Sequence, residues 1–110
     1  MSLSSVVLPT LWTMARGRRD YTPEELLFQQ ALGFTIRRMR IEAGLNQDEF
    51  SVRARLERSY IPSLEAGKFD ARISTLTRIA NTLQIGIDEL LRQVLQDIGE
   101  KPQEADPSPK

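Results

Sequence analysis

A chain of 110 residues, 40% of them apolar, can form one compact domain with flanking segments and needs no staple to fold. It contains neither cysteine nor histidine, which removes disulfides, thiolate nucleophiles, the usual zinc ligands and the commonest general base, so no enzyme, no metal and no cofactor is expected. The net charge is zero, but residues 31–68 carry seven cations against five acids and residues 97–110 two against four. Because charge is screened beyond about 8 Å at physiological salt, such a balance leaves a polyanionic partner open.

Residues 1–21 read as a flexible N-terminal extension. The opening "MSLSSVVLPTLWTM" lacks the basic leader and continuous apolar stretch of a signal peptide. No run approaches the roughly 20 apolar residues that span a bilayer, so a cytoplasmic protein without membrane association is expected. Residues 1–13 precede a second methionine, Met14, and are either native or an artefact of start-site choice. "ARGRR", Ala15 to Arg19, is a basic arm of the kind that enters a minor groove, or else a solvated linker.

The first helix starts at Pro23, where Thr22 is the N-cap, Pro23 the first helical residue and Glu25 the partner in a capping box. Leu32, Ile36, Met39 and Ala43, with Phe28 one turn earlier, form an apolar stripe of helical period. Gly33 lies inside it, so the segment is either one helix to about Ala43 or two shorter ones. Gly44 supplies the left-handed residue that ends helices. Asn46 caps a second helix, about Gln47 to Ala54, with Glu49 completing another capping box and Leu45 placed to staple against Phe50. A third helix carries Ile61 and Leu64 and stops at Gly67; a fourth carries Leu76, Ile79, Ala80 and Leu83. A fifth carries Ile87, Leu90, Leu91, Val94, Leu95 and Ile98, ending at Gly99. The remainder, "GEKPQEADPSPK", residues 99–110, is polar, proline-rich and aperiodic, the composition of a disordered tail. No segment alternates as a strand does. The reading is an all-α five-helix bundle over residues 22–98.

Within it, Phe50, Ala54, Leu56, Ile61 and Leu64 occupy the fourth, eighth, tenth, fifteenth and eighteenth positions counted from Gln47. Two short helices crossing at about 90 to 120° around a tight turn bury those positions against each other and leave the outer face of the second helix free for a major groove. On these residues the stretch resembles the helix-turn-helix of the Cro/phage-repressor, or XRE, family. "IRRMRIEAGLNQDEF" is similar to the end of that family's first helix and the start of its second, "RSYIPSLEAG" to its recognition helix, and "LTRIANTLQIGIDELL" to its fourth and fifth helices. The likeness runs from Leu32 to Leu91. Three positions depart from the family pattern. Ser51 replaces a usual alanine, and Arg55 replaces the usual turn glycine, where a left-handed side chain costs about 1 kcal/mol or more. Pro62 would sit fifth in a helix capped at Glu57, losing a backbone bond, or third, where it is tolerated, in one capped at Ser59.

The resemblance implies roles for individual residues. Arg40 and Glu65 match an internal ion pair between first and third helices. Gln47, with Asn46 beside it at the helix start, matches a phosphate-contacting glutamine. Arg58, Ser59 and Ser63 match outward positions that meet base edges, where arginine pairs guanine bidentately. Arg53 and Lys68 are basic and read as phosphate contacts or ordinary solvated cations; Tyr60 either meets the nucleic acid or packs at the helix start. The implied function is sequence-specific binding of double-stranded DNA by a transcription regulator acting as a dimer on a palindromic operator, with the recognition helix similar to that of restriction–modification controller proteins. A dimer through Leu91, Val94, Leu95 and Ile98 is expected, because the fifth helix extends its apolar stripe past the family's usual end. The rival is a protein-interaction module or antitoxin that keeps the fold with weak or no sequence-specific DNA binding.

Overall fold

The computed structural model of the chain describes residues 20–100. Residues 1–13, the basic arm Ala15–Arg19 and residues 101–110 of the tail lie outside the described residues. Among the latter there are five helices and no strand: α1 Pro23–Glu42, α2 Gln47–Ala54, α3 Tyr60–Glu65, α4 Ile73–Thr82 and α5 Ile87–Glu100.

Both expected capping boxes form. The Glu25 amide donates to Thr22 Oγ1 at 3.0 Å, and the Thr22 amide to Glu25 Oε1 at 2.9 Å. At α2 the Glu49 amide donates to Asn46 Oδ1 at 2.8 Å and the Asn46 amide to Glu49 Oε1 at 3.0 Å. Gly33 does not interrupt α1, which runs as one helix. A Cβ at Gly33 would stand 2.5 Å from the Leu64 carbonyl oxygen and 2.6 Å from that of Glu65, so the glycine is where the C-terminal end of α3 crosses α1. A glycine inside a helix costs about 1 kcal/mol against alanine; here it permits a backbone approach that no side chain allows.

The first four helices end in the same way. In each, two amides beyond the last turn reach back to its carbonyls: Leu45 to Arg40 (3.1 Å) and Gly44 to Ile41 (2.9 Å), Leu56 to Ser51 (2.9 Å) and Arg55 to Val52 (3.2 Å), Lys68 to Ser63 (3.1 Å) and Gly67 to Leu64 (3.0 Å), Ile85 to Ala80 and Gln84 to Asn81 (both 3.0 Å). This is the Schellman arrangement, which needs one left-handed residue. Gly44 and Gly67 supply it at φ 78°, but Arg55 and Gln84 adopt φ 58° and 62° with full side chains. At the turn the arginine takes the conformation that a glycine would. Ala43, expected to close the apolar stripe of α1, is instead exposed at its C-cap.

Leu32 and Ile36 of α1, Phe50 of α2, Ile61 and Leu64 of α3, Leu76 and Ile79 of α4, and Leu90 and Val94 of α5 close one core, each worth roughly 1.5 to 3 kcal/mol by burial. α5 lies antiparallel along α1. Thr35 donates to Asp97, and Arg38 Nη2 donates to Gln93 Oε1 at 3.0 Å and to Asp97 Oδ2 at 3.1 Å. This packing removes Val94 from the expected interface. Val94 is fully buried and Leu91 and Ile98 half-buried against the chain's own core, whereas Leu95 is 59% exposed. The stripe of α5 is mostly used within the chain's own core, and Leu95 faces outward. α5 also continues through Gly99 to Glu100.

Gly33 within α1 and Gly44 just beyond its C-cap separate steric from conformational cost. Gly33→Ala is expected to destabilise by at least about 2 kcal/mol, because backbone carbonyls must move. Gly44→Ala, with nothing within 4 Å of its Cβ, should cost only the left-handed penalty of about 1 kcal/mol. Urea midpoints of the two variants check the order.

Candidate nucleic-acid interface

Arg40 is buried on α1 and its charge is met on three sides. Its Nε and Nη2 donate to the two Glu65 oxygens at 2.6 and 3.0 Å, and its Nη1 donates to the Leu45 carbonyl at 2.9 Å. Gln47 Nε2 donates to the same Glu65 carboxylate at 3.2 Å. The two charged side chains are 9% and 4% exposed. The ion pair thus ties α1, the loop before α2, the first residue of α2 and the end of α3 into a single unit. The expected Arg40–Glu65 pair is present, and it holds Gln47 as well.

The entry to α3 follows from Pro62. After Arg55 the chain bends through Leu56 and Glu57, and the Tyr60 amide reaches the Glu57 carbonyl at 3.0 Å. Pro62 has no N–H with which to engage the Arg58 carbonyl, and that carbonyl instead accepts from the Ile61 amide at 3.3 Å. α3 accordingly starts late, with Ser59 as its N-cap, and has six residues; Pro62 falls third, in the first turn where an amide has no helical partner anyway. Ser59 makes no side-chain capping bond, so its exposed hydroxyl stays outside the helix ladder. Ile61 and Leu64 point into the core, leaving Arg58 and Ser59 exposed and Ser63 half-buried.

The candidate residues divide into two groups. Arg58 pairs with Asp48 on the first turn of α2, through Nε and Oδ1, while Gln47 reaches Glu65. These contacts draw Gln47, Asp48 and Arg58 onto one surface across the helix-turn-helix. Asn46 adjoins it, with its side-chain oxygen committed to the α2 cap. Tyr60 and Lys68 belong elsewhere. The Tyr60 ring stacks on Phe69, centroids 4.8 Å apart and planes 7° from parallel, which decides for packing at the helix start. Burial pushes the Tyr60 phenol above its ordinary pKa, against a hydrogen bond from Thr75 and the nearby Arg72 charge that pull it down. That stack, with Lys68, Arg55, Arg72 and Arg78, lines a groove of about 780 Å³ between the α2–α3 turn, the α3–α4 loop and α4. Arg53 is exposed at the far end of α2, in a neighbouring depression that it shares with Arg55 and Arg78. Arg72, Arg78 and Phe69 were not singled out in the sequence. Phe69 lies in the α3–α4 loop, Arg72 is the N-cap of α4 and Arg78 lies within it, with no common spacing, and the packing of α4 against α2 brings them beside Arg55.

A family model described as a helix-turn-helix domain matches residues 33–96. The chain belongs to that family. The helix-turn-helix fold is shared with solved structures. The clp gene regulator ClgR from Corynebacterium glutamicum is 20% identical over 72% of this chain and 84% of its own, with a TM-score of 0.65. The restriction-modification controller protein C.AhdI from Aeromonas hydrophila is 27% identical over 56% and 94%, with a TM-score of 0.55. The controller protein C.Esp1396I, solved as a tetramer with its natural 35-base-pair operator, is 22% identical over 64% and 93%, with a TM-score of 0.60. Comparison with curated proteins finds no match.

In this helix-turn-helix domain the buried pair is expected to behave as a unit. Glu65→Ala strands the Arg40 charge and should cost about 3 to 5 kcal/mol, whereas Arg40→Met/Glu65→Leu, which removes both charges, should cost less than the single change. Equilibrium urea unfolding of the three proteins measures the difference.

Proposed function

We propose that the chain is a sequence-specific DNA-binding transcription regulator that acts in the cytoplasm as a homodimer on a palindromic operator, without catalysis. The observation that carries this reading is the surface on which Gln47 is held at the start of α2 by Glu65, with Arg58 and Ser59 exposed beside it at the entry to α3. Gln47 meets a phosphate at the α2 N-terminus, where anions are favoured. Arg58, with Ser59 and Ser63, reads base edges. Arg53 and Lys68 neutralise backbone phosphates, Asn46 supports the start of α2 beside the duplex, and Tyr60 packs at the start of α3. C.Esp1396I bound to its operator supports the assignment by likeness of fold, and C.AhdI, a controller protein, by likeness of sequence as well. No helix among the described residues is long and apolar enough to cross a membrane.

Dimerisation centres on Leu95, with the half-buried Leu91 and Ile98 at its margin. A two-fold dimer sets recognition helices about 34 Å apart, one turn of DNA, which is why a palindromic site is expected.

Arg58→Ala is expected to weaken the preferred site by about 1 to 3 kcal/mol and relax specificity, while Gln47→Ala weakens all sequences alike. Lys68→Ala and Arg53→Ala should each lower the salt slope of binding by about one. Fluorescence titrations across a salt series on duplexes selected from a random pool provide the check. Equal, salt-insensitive binding by wild type and variants would favour the rival reading, a protein-interaction module.

Leu95→Glu should sediment as a folded monomer where wild type sediments as a dimer at micromolar concentration. Val94→Glu, which buries a charge in the protomer core, should unfold the chain instead. A wild type that stays monomeric removes the α5 interface.

A further inference from the structure

Asp48 is the residue that the reading surface does not explain. It is the second residue of α2, next to Gln47, and 73% of its side chain is exposed. A carboxylate beside the approach of a phosphate opposes binding by like-charge repulsion. The helix dipole favours an acid in a first turn, yet Glu49 already occupies this one and is committed to the capping box. Asp48 Oδ1 instead accepts from Arg58 Nε, ten residues away across the helix-turn-helix. Exposed ion pairs add little to fold stability, so the value of this one lies in where it holds the arginine.

We infer that Asp48 is a positioning residue for base recognition: it fixes the Arg58 guanidinium through Nε so that the terminal Nη pair meets guanine. The inference rests on the DNA-reading function proposed above. The atoms decide between positioning and blocking. A guanidinium has five N–H donors in a rigid fork, and guanine O6 and N7 take two of them side by side. With Nε–H held by Asp48, the Nη1/Nη2 edge is left for the base, and both contacts are made at once. Arginine carries large rotamer freedom; a side chain already held in its bound conformation loses less of it on binding, and that advantage is greatest where the base contact is made. Asp48 therefore penalises every sequence slightly through its charge and returns more than that penalty on the correct one.

The test compares a duplex recovered by selection from a random pool with a shuffled duplex of the same composition, using the full chain. In wild type, Arg58→Ala should reduce the affinity ratio between the two duplexes by roughly 5- to 150-fold. Asp48→Asn should reduce it by about three- to tenfold while leaving binding of the shuffled duplex equal or tighter, should change it no further in the Arg58→Ala background, and should be largely rescued by Asp48→Glu. In the free protein the Arg58 Nε–H proton should exchange faster with solvent in Asp48→Asn at an unchanged melting temperature. If Asp48→Asn tightens both duplexes equally, the residue acts only as a charge, and if it raises the ratio, it blocks Arg58; either result overturns the inference while leaving the DNA reading intact. If Arg58→Ala leaves the ratio unchanged, Arg58 does not read bases, and the inference falls together with that part of the proposed function.

Discussion

The buried Arg40–Glu65 pair is the constraint on which the other features depend. Its net contribution to stability is small, because taking two charges out of water offsets most of their attraction. Its directional effect is large. Three hydrogen bonds from one planar guanidinium fix the end of α3, the loop before α2 and, through the shared carboxylate, the Gln47 side chain. Gly33 belongs to the same arrangement. It lets the α3 backbone at Leu64 and Glu65 lie against α1, which brings the Glu65 carboxylate within reach of Arg40 four residues after the glycine's own helical neighbour, Ile36. Tight backbone contact and buried ion pair are one joint, seen from the main chain and from the side chains.

From that joint the geometry of the recognition helix follows. α3 is a short helix set between two Schellman turns, the one before it built on Arg55 and the one after it on Gly67. A non-glycine residue in the left-handed region costs of order 1 kcal/mol, and the fold carries that cost at Arg55 and again at Gln84. At Arg55 the main chain is used as well: its carbonyl accepts from Arg78 Nη1 at 3.2 Å, so the strained turn is braced from α4. Pro62 restricts α3 from within by withholding one amide. The helix that presents Arg58 and Ser59 is short because its own sequence lacks the donor that would extend it toward the turn.

The charge balance also changes meaning once side chains are placed. The cation surplus of the central segment is not all surface charge. Arg40 is consumed by Glu65, and Arg38 is largely consumed by Asp97 and Glu42. In the other direction, Arg55, Lys68, Arg72 and Arg78 gather around one groove where, among the described residues, Glu57 and Asp70 oppose them, though they are spread along the chain from the end of α2 to α4. A formally neutral chain thereby has a locally positive face, and local field is what a screened polyanion senses.

By itself the sequence determined where α1 and α2 begin and where α1 and α3 end. Thr22 with Glu25, Asn46 with Glu49, and the glycines at positions 44 and 67 act on amides and carbonyls within a few residues, and a signal confined to one turn does not depend on the rest of the fold. For the start of α3 the sequence left two caps, Glu57 and Ser59, with Pro62 strained under the first, and the structure takes the second. What only the tertiary structure decided is which side chains meet. Val94 and Leu95 are adjacent members of one apolar stripe, yet the antiparallel register of α5 on α1 buries the first and exposes the second. Tyr60 stacks on Phe69, and Arg58 turns to Asp48, pairings that no local spacing encodes. Partners across elements are set by how helices cross, and the crossing depends on the whole packed core at once, on a glycine at position 33 and a carboxylate at position 65 that are far apart in the chain.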